Sequence, residues 1–305
     1  MDKDLLVAEL KKRFPAERLH IDEPLSRHTT FEVGGPADAF VCPATVDELR
    51  CALSCARQAN APWHVIGCGS NLLVADGGLA GLCIHLGADF ARIDVEDSLL
   101  TAQAGATNAE VAEAACAAGL SGYEFACGIP GSIGGAAIMN AGAYDGEFKD
   151  VCTRVRCLTL DGKVVDVDAA SADWGYRHSM MSDKGYIVLE ATLQLVPFDS
   201  AKIRVRMDEL TRRREDKQPL ELGSAGSTFK RPVGYYAGKL IEDAGMRGHA
   251  VGGAKVSEKH CGFVVNFDHA TAADVRAVID DVRKAVLSDS GVTLEPEVRM
   301  WGFDD

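Results

Sequence analysis

Two short runs of glycine and small residues carry the strongest chemical signal in the sequence. The first is Ile66-Gly67-Cys68-Gly69-Ser70-Asn71-Leu72-Leu73-Val74-Ala75-Asp76-Gly77-Gly78. The second is Gly128-Ile129-Pro130-Gly131-Ser132-Ile133-Gly134-Gly135-Ala136-Ala137-Ile138-Met139-Asn140-Ala141-Gly142. Glycine loses more backbone freedom on folding than any other residue, so a cluster of it implies positive-φ turns or close approach of backbone to a ligand. Such turns expose backbone N–H groups, often at the head of a helix, and those groups bind anions. Either run alone also reads as a tight turn without a ligand. Two of them in one half of the chain point to a cofactor that contains a diphosphate.

Two familiar phosphate motifs fail on spacing. Gly67-Cys68-Gly69 begins like the dinucleotide fingerprint, but Leu72 stands where its third glycine belongs, and Asp76-Gly77-Gly78 turns the chain before a helix can form. Gly234-Tyr235-Tyr236-Ala237-Gly238-Lys239-Leu240 is one residue short of a Walker A loop and has Leu240 in place of the Mg²⁺-binding hydroxyl. None of the 10 cysteines forms a Cys-x-x-Cys pair, and neither Cys51/Cys55 nor Cys152/Cys157 has zinc spacing, so no metal is expected. The cysteines read as small buried hydrophobes of a reducing compartment. Only Cys68 lies where its chemistry could matter, and packing is the simpler reading even there.

The elements that position these loops follow from periodicity. Leu6, Leu10 and Phe14 recur at helical spacing until Pro15, and Thr45-x-x-Glu48 opens a helix carrying Leu49, Leu53 and Ala56 on one side. Trp63-His64-Val65-Ile66 reads as a buried strand feeding the first glycine run. A helix runs from Thr107 to Ala118 and stops at Gly119. Strand signals dominate from Val151 to Val196, with a hairpin turn at Asp161-Gly162. Arg212-Arg213-Arg214-Glu215-Asp216-Lys217 reads as a solvated helix end, and Gln218-Pro219 after it as a domain junction. Thr271 to Ser288 carries the apolar stripe Val275, Val278, Ile279, Val282 and Val286, Gly291 ends it, and Val292 to Met300 reads as a strand. The class is α+β, with a cofactor half and a smaller C-terminal half.

The chain has 305 residues, 47% hydrophobic and 25% charged, enough for about two domains. Its formal net charge of −13 leaves no basic excess to neutralise phosphates, which argues against nucleic acid. No apolar run approaches the roughly 20 residues of a transmembrane helix, so no membrane association is expected. Met1-Asp2-Lys3-Asp4-Leu5-Leu6 lacks the basic and apolar regions of a signal peptide, and the expected location is the cytoplasm. A monomer is favoured.

The two glycine runs resemble the flavin-binding fold of the UDP-N-acetylenolpyruvoylglucosamine reductase family. Other blocks of the chain are similar to that family in the same order. They are His28-Thr29-Thr30-Phe31-Glu32-Val33-Gly34-Gly35-Pro36-Ala37 and Gly175-Tyr176-Arg177-His178-Ser179. Next come Gly223 to Pro232, Ala237 to Ile241, Val256 to Phe263, and Leu294-Glu295-Pro296-Glu297-Val298-Arg299. Each block is weak alone, and the ordered set, spanning nearly the whole chain, is specific. Cys68 stands where the family usually has glycine, and Trp174 where a smaller aromatic is common. The short interval between Arg177 and Ser227 matches the compact (type II) subtype, which lacks a substrate-covering insertion.

The resemblance implies a two-part FAD-binding domain of the vanillyl-alcohol-oxidase-like (PCMH) type plus a C-terminal α+β substrate-binding domain. The expected boundaries are 1–61, 62–203 and 204–305, with the last strand able to return to the FAD domain. It implies non-covalent FAD, NADPH as hydride donor and a UDP-sugar substrate whose enolpyruvyl group becomes a lactyl group in peptidoglycan precursor synthesis. Cofactor contacts are expected at Gly67, Cys68, Gly69, Ser70, Asn71, Leu72, Gly128, Ile129, Pro130, Gly131, Ser132, Gly134, Gly135 and Asn140. The family's catalytic positions fall on Arg177, Ser227 and Glu297. Negative charge develops beside the substrate carboxylate, and placed electrostatic partners are the usual answer to that problem. Arg177 is planar and permanently charged, suited to bidentate carboxylate contact. Ser227 is implied as proton donor. Glu297 either holds Arg177 or, protonated in a dry site, donates a hydrogen bond. Substrate contacts are expected at Lys230, Arg231, Lys239 and Lys259; Tyr176 is a further candidate that also reads as structural. Alone, Arg177 would read as a surface ion-pair partner, Ser227 as a turn residue and Glu297 as solvent-facing. Two other classes stay open: an oxidase on the same flavin fold, with Cys68 and Cys127 to be tested for covalent attachment, and a non-catalytic nucleotide-binding protein.

Overall fold

The computed structural model describes residues 1–303. Asp2 caps α1 (Lys3–Lys11) by accepting from the Leu5 N–H, and the helix buries Leu6 and Leu10 against α2 (Val46–Gln58). Thr45 caps α2 through the Glu48 N–H, 3.1 Å away. The first sheet contains β1 (Leu19–Pro24), β2 (Pro36–Val41), β3 (Trp63–Ile66) and β5 (Leu79–His85), while β4 (Leu72–Val74) lies outside it. Its order is β1-β2-β5-β3, antiparallel between β1 and β2 and parallel thereafter. The parallel pairings need a crossover, and α2 supplies it between β2 and β3.

A second sheet is antiparallel throughout and built around Ile187–Gln194. That strand pairs on one side with β7 (Leu99–Gln103), itself flanked by β6 (Ile93–Glu96). On the other side it pairs with Cys152–Leu158, which the Asp161-Gly162 turn joins to Val164–Asp168. α3 (Asn108–Ala117) opens with a reciprocal capping box between Thr107 and Glu110. α4 (Ile133–Met139) packs on Ile187–Gln194, α5 (Met180–Asp183) is a single turn, and α6 (Ser200–Lys217) lies across α3. The C-terminal unit sets α7 (Ala237–Asp243) and α8 (Ala272–Ser290) against a small sheet of Ala250–Val251, Ala254–Val256 and Val264–Asn266. All five residues of the α8 stripe are fully buried, and Gly291 ends the helix in the left-handed conformation.

The sheets divide the chain differently from the expected boundaries. β3 and β5 belong with β1 and β2, so the first sheet extends to His85 and does not stop at residue 61. α6 runs across the expected 203/204 boundary and packs with the cofactor half. Its Ile203 and Met207 join the large core shared by α1, α2, α3 and both sheets. The expected strand from Val292 to Met300 is reduced to Arg299–Trp301. Upstream of it, Pro296 has no N–H to offer, and the pairing with residues 228–230 is limited to an isolated bridge with flanking bonds. Arg299–Trp301 returns to the cofactor half, parallel to β4, pairing Arg299 with Leu72 and Trp301 with Val74.

Candidate functional site

The two glycine runs face one another. A Cβ at Gly67 would sit 2.3 Å from Ser132 Oγ, and one at Gly131, whose φ is +132°, would sit 2.8 Å from Ser70 Oγ. Only glycine allows the loops to close to that distance. Between and beside them runs a cleft of about 820 Å³, within the size range of cofactor sites. Gly67, Cys68, Gly69, Ser70, Asn71, Leu72, Ile129, Pro130, Gly131, Ser132, Gly134 and Gly135 all line it.

Gly128 and Asn140 do not line the cleft. Asn140 is buried in a left-handed conformation at the end of α4, and its amide is fully engaged. Its Nδ2 donates to Glu147 Oε2 and to the Gly175 carbonyl, both at 3.1 Å, while its Oδ1 accepts from the Lys149 N–H at 3.0 Å. Asn140 therefore braces the turn that carries Arg177 and does not face a cofactor. Gly128 leaves room for Arg214, whose Nη1 would come within 3.3 Å of a Cβ there.

The cradle has the groups that a diphosphate needs. Among the described residues nothing accepts from the N–H groups of Ser70 and Asn71. In the second run, the Ile133 and Gly134 amides already bond to the carbonyls of Ala106 and Ala104, so that loop offers fewer free donors than its composition suggests. Arg214 compensates. Its Nε donates to Gln218 Oε1 at 2.8 Å, but Nη1 is buried in the cleft wall without a partner. A buried, half-satisfied guanidinium is costly unless an anion meets it. FAD fits these residues. Residue type and spacing do not separate Arg214 from Arg212 and Arg213, because the inward face of α6 depends on what packs beneath it.

At the other end of the cleft three distant segments converge. Arg177 lies in the Gly175–His178 turn with φ +56°, and its Nε–H donates to Glu297 Oε1 in a short, half-buried ion pair. The Glu297 N–H donates to the Thr228 carbonyl at 2.8 Å, which brings the segment carrying Ser227 alongside the segment carrying Glu297. Asn71 of the first loop donates from Nδ2 to the Glu297 carbonyl at 3.2 Å. Arg177, Ser227 and Glu297 all line the cleft, and the Ser227 side chain is exposed to it. Burial pushes the Glu297 carboxyl above its usual value, while Arg177, Lys230 and the Tyr176 hydroxyl partly offset that rise. Arg299 reaches across the same end, donating to Ser182 Oγ at 3.0 Å.

The expected substrate contacts scatter. The Tyr176 hydroxyl accepts from the Arg231 N–H at 3.2 Å, and the Arg231 guanidinium lies 4.0 Å from the Tyr236 ring centre. Tyr176, Arg177 and Arg231 border a second hollow of about 490 Å³. Lys230 pairs with Glu295, two residues before Glu297. Lys239 pairs with Asp243 on the exposed side of α7, and Lys259 donates to the Glu215 carbonyl at 2.6 Å; neither lines the cleft. The Cys68 thiol is held above its usual range by burial, which disfavours the reactive thiolate. Among the described residues no group of three or more His, Cys, Asp or Glu could hold a metal ion.

Comparisons with known proteins agree with this geometry. Residues 37–168 match the family described as "FAD binding domain". Residues 218–301 match "UDP-N-acetylenolpyruvoylglucosamine reductase, C-terminal domain". The chain is 50% identical to the UDP-N-acetylenolpyruvoylglucosamine reductase of Agathobacter rectalis, covering 97% of this chain and 98% of that one. It is 48% identical to that of Clostridium beijerinckii, covering 96% of each. The crystal structure of the reductase from Thermus caldophilus superposes with a TM-score of 0.80 at 35% identity, over 93% of this chain and 98% of that one. Phl p 4.0202, a glucose dehydrogenase, shares the fold alone, at TM-score 0.50 and 17% identity over 63% of this chain and 44% of that one. The chain belongs to the UDP-N-acetylenolpyruvoylglucosamine reductase family.

Proposed function

We propose that this protein reduces UDP-N-acetylglucosamine enolpyruvate to UDP-N-acetylmuramate in peptidoglycan precursor synthesis, using FAD and NADPH. The observation that carries the reading is the Arg177–Glu297 ion pair lining the same cleft as Ser227, whose segment is hydrogen-bonded to that of Glu297, with two facing glycine loops in the cleft wall. Bound FAD supplies hydride transfer from NADPH to the enolpyruvyl methylene carbon. The remaining work belongs to this chain's side chains. Arg177 takes the substrate carboxylate and stabilises the charge that spreads into it. That carboxylate competes with Glu297 for the guanidinium. Glu297 then loses the partner that favoured its ionised form, and its buried site favours the protonated acid, a hydrogen-bond donor to the developing charge. Ser227 Oγ delivers the proton to the neighbouring carbon; a neutral hydroxyl is acid enough, because a carbanion beside a carboxylate is the stronger base.

We assign residues 218–298 to covering the sugar nucleotide, with Tyr176, Lys230 and Arg231 nearest the reacting end. NADPH and the UDP-sugar are charged cytoplasmic metabolites, and we place the reaction in that compartment. Among the described residues no helix is long and apolar enough to cross a membrane. The deciding experiment is an anaerobic half-reaction on the purified holoenzyme. NADPH should bleach the flavin absorbance, and the enolpyruvyl sugar nucleotide should restore it. Bleaching without recovery on adding that substrate refutes the assignment.

A further inference from the structure

The residues before Ser227 do not fix its position. Gly226 has φ +73°, with open space where a side chain would stand. Among the described residues no hydrogen bond reaches the main chain of Ala225, Gly226 or Ser227. A group that delivers a proton needs tighter control, since a displacement of about 1 Å can cost a hundredfold in rate. The control starts one residue later. Thr228 is fully buried, and its N–H donates to the Gly262 carbonyl at 2.8 Å. Its own carbonyl accepts from the Glu297 N–H at 2.8 Å, and its Oγ1 accepts from the Val264 N–H at 2.9 Å. Two of these three bonds tie Thr228 to the single segment 257–264.

That segment is wound around His260. The buried Ser257 accepts at Oγ from the Lys259 and His260 N–H groups at 3.2 and 3.3 Å, and the His260 carbonyl accepts from the Phe263 N–H at 3.0 Å. His260 Nδ1 accepts from the Gly262 N–H at 3.1 Å, so Nε2 carries the proton of the neutral ring. Burial holds this imidazole below its usual value, which keeps Nδ1 free to accept. Gly262 has no slack: a Cβ on it would stand 2.9 Å from His260 Cε1, and one on Gly238 of α7 would stand 3.3 Å from its N. Neither Thr228 nor His260 lines the cleft, so any influence on the reaction runs through a neighbour. We propose that both are positioning residues for the proton step: His260 fixes Gly262, and Gly262 with Val264 holds Thr228, which aims the Ser227 hydroxyl. Through its carbonyl Thr228 also sets the donor and Glu297 in one frame. The inference rests on Ser227 being the proton donor.

Anaerobic stopped-flow on the holoenzyme separates flavin reduction by NADPH from reoxidation by the enolpyruvyl sugar nucleotide. Thr228→Val deletes the Oγ1 acceptor at nearly the same shape, and His260→Leu deletes Nδ1. Each should slow reoxidation about tenfold, the worth of one buried hydrogen bond, and leave reduction by NADPH as in wild type. Thr228→Ser and His260→Asn keep an acceptor in those places and should restore most of the rate. The deciding measurement repeats Thr228→Val and His260→Leu in a Ser227→Ala background. With no hydroxyl left to aim, neither should slow reoxidation further. An equal loss with and without that hydroxyl overturns the proposal, because the two residues then serve the fold alone. Wild-type reoxidation by both single variants overturns it as well. Should Thr228→Val not fold, His260→Leu decides by the same comparison. Ser227→Ala reoxidised as fast as wild type would instead refute the proton-donor reading beneath it.

Discussion

Arg177 depends for its position on groups remote in sequence. Its backbone occupies the left-handed region, a conformation that costs a non-glycine residue about 1 kcal/mol and persists only where neighbours enforce it. The neighbour is Asn140, holding the Gly175 carbonyl. Asn140→Ala should therefore lower kcat about tenfold or more by loosening the turn, while leaving FAD retention as in wild type; a loss of FAD would return Asn140 to the cofactor. Ser227→Ala should keep reduction by NADPH and slow reoxidation by the enolpyruvyl substrate about 10²–10⁴-fold, the usual worth of a placed general acid. Stopped-flow absorbance separates the two halves. Glu297 titrates above the ordinary carboxyl value because it is buried, so its protonated form is complete below that raised value and disappears as pH rises through it. If the protonated acid is the working form, the pH profile has an alkaline limb. Glu297→Gln, a permanent neutral donor, should flatten that limb and retain more activity than Glu297→Ala.

Among the elements, one link between the halves is a side-chain cap on a helix of the other half. The Asp76 carboxylate, from the end of the first glycine run, accepts from the Ala272 and Ala273 N–H groups at 2.7 and 3.0 Å. Those are the first two amides of α8, and the positive, N–H end of the helix dipole favours a carboxylate there. Asp76→Ala should cost about 1 kcal/mol and lower the thermal midpoint by roughly 2–4 °C, as read by differential scanning calorimetry. An unchanged midpoint would mean that Thr271 and Asp274, which already form a capping box, satisfy that terminus without Asp76. The elements themselves were largely legible. α3 and α8 announce themselves by cap residues, apolar stripe and terminal glycine, all local signals. The Val292–Met300 expectation failed because alternation alone does not reveal whether a partner strand runs uninterrupted alongside.

At the scale of the whole molecule, the C-terminal core is completed by the N-terminal half: Phe31, Val33 and Leu73 are buried with Val275, Ile279 and Val286 of α8. The closing strand Arg299–Trp301 adds a sheet pairing across the same boundary. The two halves should therefore unfold together in a single transition. That transition should be pH-dependent because of His85, where burial, helped by His28, pushes the imidazole down from 6.5 to about 4. Its stabilising contribution is complete above pH 6.5 and is lost as pH falls toward 4, at roughly 1 kcal/mol per pH unit. Urea denaturation of His85→Phe across that window should give a flatter profile than wild type; an identical slope assigns the acid sensitivity elsewhere.

The linear sequence by itself pointed to a cofactor that contains a diphosphate and to most helices, while the expected reacting positions Arg177, Ser227 and Glu297 came from the family resemblance of the ordered blocks. What the sequence carried rests on local chemistry: glycines that permit close approach and caps that satisfy helix ends. Tertiary structure alone decided that Asn140 holds the Gly175 carbonyl of the turn that carries Arg177, and that Arg214 turns inward while Arg212 and Arg213 are exposed. Those outcomes depend on which surfaces meet. Residues far apart along the chain become neighbours only after the sheets and helices pack, and no spacing rule along one strand or helix contains that information.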